Sequence, residues 1–230
     1  MRLRDALQHA TLLIGVSKSY SEMYRRLGFN ILTVENGISP PNKLPRSPGK
    51  GKVRLGHFGG MEWHKGAHIL EEALRKGKFK NLELTILDFG REAGTIINEK
   101  WGTTPVTIRS KVLPSEIEQL YAQTDVVVAT SACPESYGLV AREGAAHGCW
   151  VIANADGAMG DDIEVGKNGF IVDTSTPDEL IAVLQIIDND PKRYTQSPTF
   201  HTHIRTSIDQ GREVLNIYKK LINQRNKSNN

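Results

Sequence analysis

From Val53 onward, short apolar runs alternate with segments of helical periodicity, and this alternation constrains the chain more than any other feature. Runs at 53–58, 82–88, 106–108, 125–130, 151–154 and 170–173 have the length and β-branched content of buried strands. Helical patterns fall between them at 64–76, 91–101, 114–123, 137–147 and 177–188. Strands apolar on both faces, each followed by a helix, predict an α/β fold: a Rossmann-like, doubly wound parallel sheet. Ser115 with Glu118 predicts a capping box, and Thr176-Pro177-Asp178-Glu179 opens a helix with a cap, a proline and two acids.

The flanking segments divide the rest. Residues 1–37 read as helix, strand, helix, strand, with strands at 12–16 and 31–34 and with Met23, Tyr24 and Leu27 turned inward. Two strands and two helices enclose no core of their own, so this piece needs a partner. Residues 38–52, with Pro40, Pro41, Pro45, Pro48 and three lysines, read as a hinge. Residues 53–195 form the main domain. Residues 196–230 loop through Pro198 and end in a long amphipathic helix, with Ile204, Ile208, Val214, Leu215, Tyr218 and Leu221 on one face and a polar tail from Asn223.

Within the main domain, residues 125–153 concentrate the chemistry. The run Asp125-Val126-Val127-Val128-Ala129-Thr130 is a buried strand, and Pro134, Glu135 and Ser136 stand between it and a helix closed by Gly148. Ser136 is the expected N-cap, leaving the amides of Tyr137, Gly138 and Leu139 to meet an anion. Leu139, Val140, Glu143 and Ala146 lie at helical spacing, so Glu143 shares a face with apolar neighbours. Two carboxylates, Glu135 and Glu143, thus flank a positive helix end at the carboxyl edge of a strand, where open α/β sheets bind ligands.

Composition removes several classes. A net charge of +3 over 230 residues argues for neither nucleic acid nor an anionic membrane as a partner. No apolar run reaches the length of a spanning helix, and Met1-Arg2-Leu3-Arg4 lacks the apolar core of a signal peptide. Cys133 and Cys149 match no metal or redox spacing, which points to a reducing, cytoplasmic setting. His201-x-His203 offers two ligands and no third, and Asp188-Asn189-Asp190 reads as a helix-ending loop, so no metal site is expected.

Glu135-Ser136-Tyr137-Gly138-Leu139-Val140, followed by Glu143, Ala146, Gly148 and Val151-Ile152-Ala153, resembles the Glu-x7-Glu segment of retaining glycosyltransferases of family 4, which have the GT-B fold. Gly59-Gly60-Met61-Glu62-Trp63-His64-Lys65-Gly66 is similar to that family's loop after the first donor-domain strand, and an arginine commonly stands where Gly60 is. Val112-Leu113-Pro114-Ser115-Glu116-Ile117, Leu120-Tyr121, Gly157-Ala158, Asp162-Ile163 and Asn168-Gly169-Phe170-Ile171-Val172 follow in the family's order. Val16-Ser17 and Val34-Glu35-Asn36-Gly37 resemble the close of its N-terminal domain.

The resemblance implies a donor-binding half that transfers a sugar from a nucleotide-diphosphate sugar, UDP- or GDP-linked, to a glycan or lipid-linked acceptor. The rest of the N-terminal domain would lie elsewhere, in a longer chain or a split enzyme, so the chain by itself would bind donor without transferring it. It implies Lys65 on the diphosphate, together with the Gly60 loop and the amides at Ser136, Tyr137, Gly138 and Leu139. Glu143 would hold the ribose diol, Glu135 the donor sugar, and backbone near Arg109 the base. Glu135 and Lys65 would be the catalytic pair, with no cofactor required. Location would be cytoplasmic, extending to the inner face of a membrane for a lipid-linked acceptor. A non-catalytic nucleotide-sugar or phosphate-binding module and a GT-B nucleotide-sugar epimerase are the alternative readings.

Overall fold

The computed structural model describes residues 3–42, 44–47, 49, 51–200 and 203–228; Met1, Arg2, Lys43, Pro48, Lys50, His201, Thr202, Asn229 and Asn230 lie outside them. In chain order the elements begin α1 (Leu3–Gln8), β1 (Leu13–Gly15), α2 (Lys18–Arg26) and β2 (Ile31–Thr33). They continue as β3 (Val53–His57), α3 (Ala67–Lys76), β4 (Leu82–Asp88), β5 (Ile96–Trp101), β6 (Thr104–Ser110) and α4 (Ile117–Ala122). Then come β7 (Val126–Ala129), α5 (Leu139–Ala146), β8 (Trp150–Asn154), β9 (Gly169–Val172), α6 (Asp178–Asn189), α7 (Pro191–Tyr194) and α8 (Ser207–Ser228). No helix among the described residues is long and apolar enough to cross a membrane.

The chain forms two compact units, one of Met1–Pro40 with His203–Asn230 and one of Pro41–Thr202. In the smaller unit β1 and β2 pair in parallel, Leu13 opposite Ile31 and Gly15 opposite Thr33. The incoming and outgoing strands of chain are tied together there, as Ile38 and Thr206 bridge and the Ser207 amide donates to the Ile38 carbonyl at 2.7 Å. Helix α2 does not bury Met23 and Leu27, which are 43% and 57% exposed; Ser17 and Ser21 face inward instead. The cause is a close helix–strand approach at Gly15, where a Cβ would stand 2.2 Å from Ser21 Oγ, so the inward face must be small. Helix α8 likewise departs from the single-face reading. Val214, Ile217 and Leu221 are half-buried, whereas Ile208, Leu215 and Tyr218 are exposed on the other side.

The larger unit carries a seven-stranded sheet in the order β5-β6-β4-β3-β7-β8-β9. Every neighbouring pair is parallel except β5–β6, an antiparallel hairpin with Trp101 opposite Thr104. The helix expected at 91–101 is therefore absent, and β5 occupies its second half. Gly94 at φ +85° and Gly102 at φ +60° impose turns at both ends of the strand. Successive residues of β7 alternate between layers: Val126 and Val128 enter the main core with Leu70, Leu74, Leu180 and Leu184, and Val127 packs with Leu120 and Tyr121. The sheet is thus covered by α3 and α6 on one face and by α4 and α5 on the other.

Two buried carboxylates lock this sheet at the amino ends of its strands, away from the carboxyl edge. Asp125 takes a bidentate contact from Arg54 (2.9 and 2.8 Å) and a third from Arg46 at 2.5 Å. Asp188 accepts the amides of Lys80 at 2.9 Å and Asn81 at 2.6 Å, which fastens the end of α6 to the start of β4 and gives its acid-rich motif a structural role. The predicted Ser115–Glu118 capping box does not form. Pro114–Glu116 forms a 3-10 turn in which Glu116 reaches back to the Leu113 amide at 2.8 Å, freeing Glu118 for other partners. Past Asp190 the chain adds the short α7 before looping on.

Candidate functional site

Strands β3 and β7 are neighbours at the centre of the sheet, yet the chain leaves them in opposite directions, to β4 on one side and β8 on the other. Such a reversal opens a crevice at the carboxyl ends of the two strands. The loop after β3 and the loop after β7 meet there: the Ala132 amide donates to the His64 carbonyl at 3.0 Å and Ser131 Oγ does so at 2.7 Å. The approach is close enough to demand glycine at Gly66, where φ is +75° and a Cβ would fall 1.4 Å from the Thr130 carbonyl oxygen.

This contact brings together Lys65 and Glu135, 70 positions apart, as an ion pair with Nζ 2.6 Å from Oε1. The two side chains are 30% and 24% exposed, open enough for a ligand to reach both. Glu135 is held through its backbone, which bridges to Gly157 and accepts the Ala158 amide at 2.9 Å. Beneath it, Asn154 Nδ2 and Thr174 Oγ1 donate to the Ser131 carbonyl at 2.7 and 3.0 Å. Gly60 stands in the same β3 loop, and its carbonyl meets His57 Nε2 at 3.0 Å. The other nitrogen of that buried ring, Nδ1, is 2.9 Å from the Val128 carbonyl, and burial lowers the imidazole pKa.

Ser136 is not the helix cap. Gly138 takes the N-cap position at φ +79°, a left-handed conformation that cannot belong to the helix, so α5 starts at Leu139. The amides without an intrahelical partner are then those of Gly138, Leu139, Val140 and Ala141, and Ser136 and Tyr137 lie outside that set. Tyr137 is buried with the Arg142 guanidinium 3.8 Å over its ring, so it packs the turn rather than facing a ligand. Trp63, by contrast, is largely exposed and stacks on His68 at 5.6 Å.

Glu143 sits one turn into α5, half-buried, with Tyr121 Oη donating to its Oε2 at 2.7 Å. Burial raises its carboxyl above the ordinary value, and the Tyr121 hydrogen bond and nearby His147 oppose that rise. Arg109 lies near the end of β6, opposite Leu87 of β4. That places it two strands from β3, or about 10 Å at ordinary strand spacing, on the same carboxyl edge. The fold therefore pairs Lys65 with Glu135 just before α5, sets Gly138 and Leu139 at the start of that helix and Glu143 one turn in, and leaves Gly60 in the β3 loop and Arg109 at the carboxyl end of β6.

Sequence reasoning gave Arg142 no role and named Tyr121 only within a family motif. Arg142 is 2% exposed; it donates to the Tyr137 carbonyl, to the Ala158 carbonyl at 3.1 Å and to Asp162 at 2.8 Å, binding the 135–138 turn to the loop after β8. An arginine directly before Glu143 in an otherwise apolar helix was its only visible signal. Cys133, two residues from Glu135, is half-buried, and the buried Cys149 thiol is pushed up to about 12 by desolvation.

The chain is 26% identical over 182 residues to D-inositol 3-phosphate glycosyltransferase of Corynebacterium urealyticum, covering 73% of this chain and 43% of the relative. The Corynebacterium glutamicum protein of the same name is 34% identical over 94 residues, 40% of this chain and 22% of its own. The chain thus spans less than half the length of these curated relatives. Among solved structures, Anabaena HepE in complex with UDP-glucose superposes with a TM-score of 0.75 at 20% identity, over 95% of this chain and 66% of that one. Sucrose-phosphate synthase of Thermosynechococcus elongatus gives 0.78 at 17% identity, over 96% and 61%. The fold is that of the C-terminal half of a GT-B protein. Residues 52–189, which hold β3 through α6 with Lys65 and both glutamates, match the family described as glycosyl transferases group 1, and the chain belongs to that family.

Proposed function

We propose that this chain is the donor-binding half of a retaining glycosyltransferase of family 4 that uses a nucleotide-diphosphate sugar. The observation that carries the reading is the meeting of Lys65 and Glu135 at the open mouth of α5, with Glu143 one turn further along the same helix. A nucleotide sugar has an anionic diphosphate between two diols, and the site offers a cation and free amides between two carboxylates. In this reading Lys65 and the amides of Gly138 and Leu139 take the diphosphate, Glu143 the ribose hydroxyls, Glu135 the sugar hydroxyls, and backbone near Arg109 the base. UDP is the first nucleotide to test, because HepE, a protein of similar fold, is known in complex with UDP-glucose.

The bond that breaks joins the anomeric carbon to the diphosphate oxygen. Negative charge then grows on the departing phosphate, and the Lys65 ammonium with the positive end of α5 would stabilise it. A carboxylate already 2.6 Å from an ammonium is better suited to anchor hydroxyls than to attack carbon, so Glu135 orients the sugar while the acceptor enters on the face the diphosphate leaves. That acceptor, a glycan or a lipid-linked sugar, and the domain that presents it would come from residues outside this chain.

Calorimetric titration of the chain with UDP, GDP, ADP and their sugars tests the reading. Selective binding of one nucleotide is expected, and Glu143→Ala should weaken it by about 2 kcal/mol, or roughly 30-fold, through loss of hydrogen bonds to a charged group. Absence of binding by every nucleotide, or equal affinity in the variant, would overturn it.

A further inference from the structure

Tyr121 closes α4, 22 positions before Glu143, and its hydroxyl donates to Glu143 Oε2 at 2.7 Å. Its ring is clamped on two sides. Phe58 meets it edge-on at 5.3 Å, and His147 stacks on it at 4.6 Å with the planes only 13° apart. The imidazole is itself fixed at both nitrogens, Nδ1 lying 2.7 Å from the Glu143 carbonyl and Nε2 against the Glu118 carboxylate. Both partners are hydrogen-bond acceptors, and they hold the imidazole plane against the phenol ring. With its ring unable to turn, Tyr121 can aim its hydroxyl only along the ring axis, at Glu143.

From this clamp we propose that Tyr121 is a positioning residue for donor binding, holding the Glu143 carboxylate in the rotamer that receives the ribose diol. The inference rests on the reading of Glu143 as the ribose contact. A carboxylate at a crevice wall has several rotamers and loses affinity by sampling them; a buried phenol bound to one oxygen leaves the other facing the ligand. The phenol is suited to this task because burial and the neighbouring carboxylate raise its pKa well above the usual value, so it remains a donor.

The contact also has an electrostatic side. Desolvation raises the Glu143 carboxyl pKa and Glu118 adds to the rise, whereas the Tyr121 hydrogen bond and His147 lower it. The remaining titratable neighbour of the phenol, Cys149, is neutral, its thiol pushed up to about 12. Removing the hydroxyl therefore raises the pKa of Glu143 further, and donor affinity, which needs the carboxylate, should be lost at a higher pH on acidification.

Tyr121→Phe tests this, since it keeps the ring and its stacking. UDP affinity would be measured from about pH 5 to 8 in the unaltered chain and the variant, with the Glu143 carboxyl followed in both by carbon NMR without ligand. The expected result is about 5- to 10-fold weaker binding at neutral pH, with the acid limb of the affinity profile and the Glu143 titration both moved upward. Equal affinity, or a uniform loss with both titrations unmoved, would overturn the positioning role and leave the donor site standing. Failure of the unaltered chain to bind any nucleotide would instead overturn the donor-site reading, and this inference with it.

Discussion

Lys65 and Glu135 are each other's partner in this structure, and a ligand that engages one must deal with the other. In the proposed site Lys65→Met does two things at once: it removes the cation and leaves the Glu135 carboxylate facing the diphosphate. UDP affinity should then fall by about 10- to 100-fold in titration, more than the loss of one charged hydrogen bond alone. Glu135→Gln should separate the two halves of the donor, with UDP binding within about 2-fold of the unaltered chain and UDP-sugar binding weakened by about 5- to 10-fold. Lys65, Glu135 and Glu143 were legible in the sequence because each sits in a local pattern: a strand end, a glycine turn, a helix start. Tyr121 and Arg142 were not, because what gives them meaning is a partner on another element. Tyr121 is read only once α4 and α5 lie side by side, and Arg142 only once the loop after β8 returns to meet it.

At the scale of elements, the strands were far more legible than the helix boundaries. A buried parallel strand is a short apolar run with little else it can be, whereas a helix start depends on one residue's backbone angles. Gly138 moved the start of α5 by two residues and the 3-10 turn at Pro114–Glu116 moved that of α4 by three, and the 91–101 segment changed class because turns at Gly94 and Gly102 bound a strand. The elements are also held at the end of the sheet away from the site. Asp125, fully buried between Arg54 and Arg46, ties the first residues of β7 to β3 and to the segment before it. Asp125→Ala would leave two arginines without their carboxylate, and the chain should lose about 3–5 kcal/mol of stability, read as a lower denaturant midpoint. Because the change lies at the opposite strand ends, nucleotide affinity of the folded fraction should not move.

At the scale of the molecule, the chain consists of a complete doubly wound unit and a small unit assembled from both ends of the sequence. The small unit leaves Met23, Leu27, Ile208, Leu215 and Tyr218 exposed, and two strands and their helices do not bury these. If the proposed function holds, the chain by itself binds donor and releases no sugar to an acceptor. Supplying the N-terminal half of a related enzyme, by fusion or by mixing, should restore transfer, detectable as release of nucleoside diphosphate that depends on acceptor. Transfer by the isolated chain would show that the acceptor site lies within these residues.

The sequence by itself determined the layering: short continuous apolar runs and helical stripes in alternation leave a covered parallel sheet as the economical way to bury both. It also determined which residues stand at the ends of the central strands, because position along a strand is a property of local order. Only the tertiary structure decided which of them meet. Strand order places β3 beside β7, and the loop contact at Gly66 brings a lysine and a glutamate 70 positions apart to 2.6 Å. The lateral packing of α4 on α5 aims a phenol at Glu143. Those distances follow from strand pairing and close packing between remote segments, which no periodicity within a single stretch of chain encodes.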